Sequence, residues 1–184
     1  MEKEIRELRL DVDRLINSVH ALNTSREVSL CHTQLQRAKS WLGMVLGELG
    51  TETPYPSSSD PTSPVIEPQA EHLDWNQGWT TIWNQPAESN MVLADTQLAY
   101  VKFFRKKIEE YQKKFFFISA EAYPYLASSA RGMHYLTKSE DAMTEAKHWL
   151  GWELNRIFNQ QKFDESVKNG TVGSAPGKEP MPLY

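Results

Sequence analysis

Apolar residues recur through the first part of the chain at alternating steps of three and four: Ile5, Leu8, Val12, Leu15, Val19 and Leu22. That spacing draws one stripe along one side of a helix, and the Glu, Arg and Asp residues between leave the other side wet. A second stripe follows a very short turn, with Val28, Cys31, Leu35, Ala38, Trp41 or Leu42, Val45 and Leu49. Thr24, followed three residues later by Glu27, reads as a capping box that opens this helix, and Gly50 as its C-terminal cap. Two amphipathic helices so tightly connected predict an antiparallel hairpin over residues 1–50. Such a hairpin cannot enclose a core alone, because each stripe has only the other as partner and both keep apolar edges in water. A further surface must cover them, and Gly43 and Gly47, four apart, offer a face where another helix could come close.

The pattern breaks over residues 51–96, which hold six prolines in "TPYPSSSDPTSPVIEP" and "NQPAE" and read as a linker or an ordered wrapping loop. Tyr55, Trp75, Trp79 and Trp83 are more large aromatics than a solvated tether needs, so part of this segment is expected to pack on the helices. Helical periodicity returns at Gln97, with Val101, Phe104, Ile108, Tyr111, Phe115 and Ile118, and predicts a long helix ending near Pro124. A further stripe through Leu136, Met143, Ala146, Trp149 or Leu150, Leu154 and Ile157 completes a second, longer hairpin over 97–159. Periodicity fades in residues 160–184, which read as an irregular tail.

The two hairpins echo each other. "RAKSWLGMVLGEL" (Arg37 to Leu49) and "EAKHWLGWELNRI" (Glu145 to Ile157) share Ala-Lys-x-Trp-Leu-Gly, and "IRELRLDV" aligns with "VKFFRKKI". The offset is 96 residues between "IRELRLDV" and "VKFFRKKI" and 108 at the tryptophans, so the second hairpin carries about twelve more residues around its bend. This pattern implies a degenerate internal duplication, with Trp41 and Trp149 in equivalent places at the seam between hairpins. The predicted fold class is therefore all-α: two antiparallel helical hairpins joined by a Pro-rich acidic linker, packed together and assembled into an oligomer.

Composition refines this only in part. Of the 184 residues, 40% are hydrophobic, enough for a modest core, and the formal net charge of −4 argues against a partner that is a nucleic-acid polymer. The charge is uneven: residues 51–96 hold seven acids and no Lys or Arg, whereas 97–159 hold ten bases against seven acids. The charged start "MEKEIRELR" lacks the apolar run of a secretion signal and no stretch of eighteen apolar residues occurs, which predicts a cytoplasmic protein without a membrane partner. Cys31, the one cysteine, falls on an apolar stripe and reads as core.

The segment "NTSREVSLCHTQLQRAKSWLGMVLGEL" resembles the hairpin domain of the phage anti-CBASS and anti-Thoeris sponges, whose helices carry an "SREKSLA…LEEA…W" type of motif. Here the pattern is Ser25, Arg26, Glu27, Ser29, Leu30, Leu35, Ala38 and Trp41. The resemblance covers residues 1–50 well and 97–159 weakly, and several of its positions are simply helix cap and stripe. It implies a small all-α protein that assembles symmetrically, performs no chemistry and holds cyclic oligonucleotides or cyclic ADP-ribose-type messengers at subunit interfaces, in the host cytoplasm, so that immune effectors stay off. Three departures stand out: no aromatic-containing arm precedes the first helix, a long acidic linker is added, and a second hairpin follows. The last implies that one chain replaces two, so that a family hexamer becomes a trimer. The alternative is an oligomeric helical interaction protein without a small-molecule ligand.

A cyclic nucleotide needs cationic or amide donors for its phosphates and flat apolar faces for its bases. Arg6 and Arg9 share a face of the first helix, Lys102 and Arg105 are their repeat counterparts with Lys106 alongside, and Arg26 sits in the first turn of the second helix, where the macrodipole favours an anion. These six are the candidate ligand-binding residues; each also reads as an ordinary solvated or ion-paired charge. Thr33, Gln34 and Gln36 lie off the stripe and read as surface. The five histidines show no metal spacing with Cys or carboxylate, the acidic pairs Glu109–Glu110 and Glu140–Asp141 point in different directions, and no Walker, GxGxxG or nucleophile-elbow motif occurs, so neither an enzyme nor a cofactor or metal is expected.

Overall fold

A computed structural model describes residues 1–51, 64–66, 90–127 and 129–170, without the side chains of 90–96 and 130. Its described residues form four α-helices and no strand: α1 Glu2–His20, α2 Arg26–Glu48, α3 Asn90–Leu126 and α4 Ala130–Lys168. The linker aromatics Tyr55, Trp75, Trp79 and Trp83, and the tail beyond residue 170, lie outside the described residues.

Each stripe turns inward. Ile5, Leu8, Val12, Leu15 and Val19 of α1, and Val28, Cys31, Leu35, Ala38, Leu42 and Val45 of α2, are all buried. Burial also pushes the Cys31 thiol pKa well above its ordinary value, as expected of an unreactive core sulfur. The cap of α2 differs from expectation. Ser25, in extended backbone, is the N-cap and its hydroxyl accepts from the Val28 N–H at 3.1 Å. Thr24 and Glu27 stand one residue out of register for that role. At the other end, Gly50 adopts φ +81°, its N–H reaches the Gly47 carbonyl at 3.0 Å, and the Thr51 N–H reaches that of Leu46 at 3.1 Å. This is a Schellman stop, in which the left-handed position suits a residue without Cβ. Gly43 is buried and Gly47 exposed, so the two do not form one approach face.

α3 begins at Asn90, seven residues before the periodic stripe, and continues through Pro124 to Leu126. The long helix α4 opens on Ser129, whose hydroxyl accepts from the Gly132 N–H at 3.1 Å, and runs to Lys168. The expected irregular tail is thus helical through residue 168. From Phe158 to Gly170 every residue is exposed or half-buried, so this segment needs no apolar stripe. Local bonds hold it instead, among them Gln160 to Asp164 at 2.8 Å, with Lys168 complementing the negative helix end.

Packing follows a ring in which α1 touches α2, α2 touches α4, α4 touches α3 and α3 touches α1. Tertiary bonds give the directions. The Ser25 hydroxyl, at the start of α2, donates to Glu153 in the second half of α4 at 2.8 Å; Ser139 donates to the Ala38 carbonyl at 3.0 Å; Ser129, at the start of α4, donates to Glu48, at the end of α2, at 2.7 Å. α2 and α4 are therefore antiparallel. One apolar cluster draws on all four helices and contains Phe104 and Phe115, each worth about 1.5–3 kcal/mol of transfer free energy. Neither hairpin could have closed this core alone. Among the described linker residues, Ile66 touches it: its N–H donates to Ser18 at 2.7 Å and its half-buried side chain packs against the cluster.

Candidate functional site

The six cations singled out from the sequence do not converge. Arg6 is half-exposed and donates twice to Glu2, at 3.0 and 2.8 Å, an i,i+4 pair on one turn of α1. That bond, a hydrogen bond from Thr51 and the Arg6 charge lower the Glu2 pKa despite some desolvation. Arg9 is buried, at 7% exposure, and its Nε lies 3.4 Å from the Lys39 carbonyl, between α1 and α2. Arg26 and Lys106 are exposed, and Lys102 holds its ammonium 5.7 Å from the Phe158 ring centre. Half-buried Arg105 lies over Gly151, where an added Cβ would sit 3.6 Å from its Cζ, and its buried Nε has no hydrogen-bond partner. Arg9 thus lies between α1 and α2, and Arg105 between α3 and α4.

Topology explains the dispersal. Lys114 of α3 pairs with Asp11 of α1 at 2.7 Å, and because the ring alternates direction these helices are antiparallel. Counting outward from that pair, Arg6 and Lys106 lie about 20 Å apart along the bundle axis at 1.5 Å per residue. Within one chain, Arg6 and Arg9 stand near one end, while Arg26, Lys102, Arg105 and Lys106 stand near the other.

Two buried charge clusters escaped the sequence reading. Asp13 and Lys39, 2% and 5% exposed, form an ion pair between α1 and α2. The face of α1 taken as wet is thus partly internal. Glu153, with no exposed surface, accepts from Arg156 at 2.8 and 2.7 Å, from Ser25 at 2.8 Å and from the Gln97 amide at 2.7 Å. Burial alone would raise its pKa, but the bonds from Arg156, Ser25 and Gln97 and the Arg156 charge outweigh it and hold the carboxyl below its ordinary value. With both oxygens engaged, Glu153 ties α2, α3 and α4 together rather than standing ready for proton transfer. Only the Glu153–Arg156 spacing hinted at this, as an i,i+3 pair.

An open groove of about 860 Å³ runs along the α2–α4 seam. One wall is the motif helix α2, with Thr33, Gln34, Gln36, Arg37, Ser40 and Trp41; the facing wall includes Lys138, Asp141, Thr144, Glu145 and His148 of α4. Thr33, Gln34 and Gln36, read from sequence as plain surface, therefore line it, and Gln34 is buried. Half-buried Trp41 stacks on Tyr135 of α4, with ring centres 5.6 Å apart and planes 20° apart, and His134 meets it edge-on at 6.3 Å. Trp149, expected to occupy a place equivalent to Trp41, is half-buried against the core and is not among the groove residues. The Arg37 guanidinium has a marginal 3.5 Å bond to Gln34, and Lys138 pairs with Asp141 at 3.2 Å. A smaller concavity of about 610 Å³ lies beside Trp152, Asn155, Arg156 and Lys162.

Among the described residues no group of three or more His, Cys, Asp and Glu could hold a metal ion, and no helix is long and apolar enough to cross a membrane. Comparison with protein-family profiles, curated proteins and solved structures finds no match to this chain.

Proposed function

We propose that this protein is a non-enzymatic, phage-type anti-defence sponge that binds and sequesters a cyclic nucleotide immune signal, a cyclic oligonucleotide or a cyclic ADP-ribose isomer, and so keeps an effector inactive. Its support is the resemblance of the Ser25–Trp41 stretch together with one observation: the helix bearing that stretch forms a wall of the seam groove. That groove combines an indole, two cations, amides and hydroxyls, the mixture a nucleotide requires. In this reading the two hairpins are diverged copies, their antiparallel α2–α4 packing reflects an old pairing of identical units, and the chain works as a homo-oligomer in the host cytoplasm. Arg26, Lys102 and Lys106 are exposed but do not line the groove, and Arg9, buried between α1 and α2, serves the fold.

Calorimetric titration of the purified chain with 3′,3′-cyclic di-AMP, 3′,3′-cyclic GMP–AMP, cyclic tri-AMP and cyclic ADP-ribose isomers tests the reading. Micromolar or tighter binding to at least one compound is expected; no heat across the whole panel rejects it. One observation favours the alternative, an oligomeric interaction protein without a small ligand: Phe116, Phe117, Tyr123, Tyr125 and Trp152 are each at least 60% exposed. That alternative predicts assembly by light scattering with no response to any nucleotide.

A further inference from the structure

The seam groove is chemically lopsided along its length. Three tertiary bonds set the register of its walls: Ser139 lies across from Ala38, Ser25 across from Glu153 and Ser129 across from Glu48. Lys138 therefore falls beside Arg37 and Trp41, with its ion-pair partner Asp141 across from Gln36, while Glu145 and His148 fall beside Thr33. Eight residues of α2 separate Trp41 from Thr33, about 12 Å along the helix axis. One end thus offers two cations and an aromatic shelf backed by Tyr135; the other offers a carboxylate, a hydroxyl and an imidazole.

We propose that each chain holds one nucleotide unit of its ligand in this groove, oriented by that polarity. A phosphate lies between the Arg37 guanidinium and the Lys138 ammonium, and its base stacks on Trp41. A hydroxyl or exocyclic amino group at the far end donates to Glu145. Arg37 is free for this because its bond to Gln34 is at the limit of hydrogen-bond length. Lys138 reaches a phosphate by turning from Asp141, an exposed pair that costs little to break. The other end suits phosphate less, because Glu145 lines it and both cations of the groove, Arg37 and Lys138, lie at the Trp41 end. The site is complete within one chain, so its occupancy is one per chain and independent of assembly.

This inference rests on the sequestration reading, and the two fail differently. The full chain, R37Q/K138Q and K102Q/K106Q are titrated with the same four cyclic compounds, with oligomer size followed by light scattering and helicity by circular dichroism. R37Q/K138Q is expected to bind at least tenfold more weakly at unchanged size and helicity, and K102Q/K106Q within twofold of the parent. Glu145→Gln, an isosteric change on an exposed residue, weakens binding several-fold. Parent binding that survives R37Q/K138Q undiminished overturns the groove assignment and leaves sequestration standing. Parent binding that survives Glu145→Gln unchanged overturns the far-end contact. A parent that binds none of the four overturns both.

Discussion

Replacing Glu153 by Gln keeps the side-chain shape and removes the charge at the point where three helices meet. In the parent protein Ser25 and Gln97 each donate to an ionised, fully buried carboxylate at 2.8 and 2.7 Å. Bonds to a charged group are worth ~1.5–3 kcal/mol and neutral ones ~0.5–1.5, so about 1 kcal/mol is lost at each. The new amide NH2 also faces a donor in place of an acceptor, which adds about 1–2 kcal/mol for a buried group left without its partner. Arg156 is 49% exposed and rehydrates, so its bonds add little. The total is about 3–4 kcal/mol, or roughly 6–16 °C in Tm for a chain of this size. The assay is urea and thermal unfolding at fixed protein concentration. Because the folded pKa of Glu153 is depressed, its contribution is fully present above the unfolded value of 4.5 and is lost as pH falls through the folded value. The gap between parent and variant must therefore narrow below pH 4.5. A difference under about 0.5 kcal/mol at neutral pH, or one that does not narrow in acid, refutes the idea that this carboxylate ties the bundle together.

Two further outcomes follow from the buried charges and the histidine pair. Asp13→Ala leaves Lys39 as a buried unpaired cation and is expected to cost about 3–5 kcal/mol, whereas replacing both by Leu and Met is near neutral or stabilising; urea midpoints of the single and double variants decide this. His32, 5.4 Å from the His20 ring, has its pKa lowered by desolvation and then by the His20 charge, so the folded state resists protonation. Stability should fall as pH drops below the unfolded value near 6.5 and continue to fall until the folded pKa is passed, and His32→Gln should flatten that slope in thermal melts between pH 7.5 and 5.

The elements legible in the sequence were those written in apolar periodicity. The stripes from Ile5 to Val19, from Val28 to Val45 and from Val101 to Ile118 are buried, α2 stops at the Gly50 cap, and α3 ends two residues past Pro124. Periodicity counts only apolar positions, which is why Asp13, Lys39 and Glu153 were invisible: a charged residue joins a core when a partner from a distant segment meets it, and nothing local records that partner. Spacing alone points to Thr24, three residues before Glu27, whereas the cap is set by where the backbone leaves the helix, at Ser25. The helical run from Gln160 to Lys168 lacks a stripe because it lies along solvent. Arg6 and Arg9 stand on α1 and Lys102, Arg105 and Lys106 on α3, and antiparallel packing of these two helices separates the groups along the bundle. The seam groove was hidden for the same reason, since its walls are about 100 residues apart in the chain.

Sequestration is tested most directly by release. The purified chain is incubated with a cyclic nucleotide it binds, freed of unbound compound, heated to denaturation, and the supernatant is resolved by chromatography. Intact ligand in near-stoichiometric amount is the result this account requires; recovery of a cleaved or linear product, or of no nucleotide at all, contradicts it.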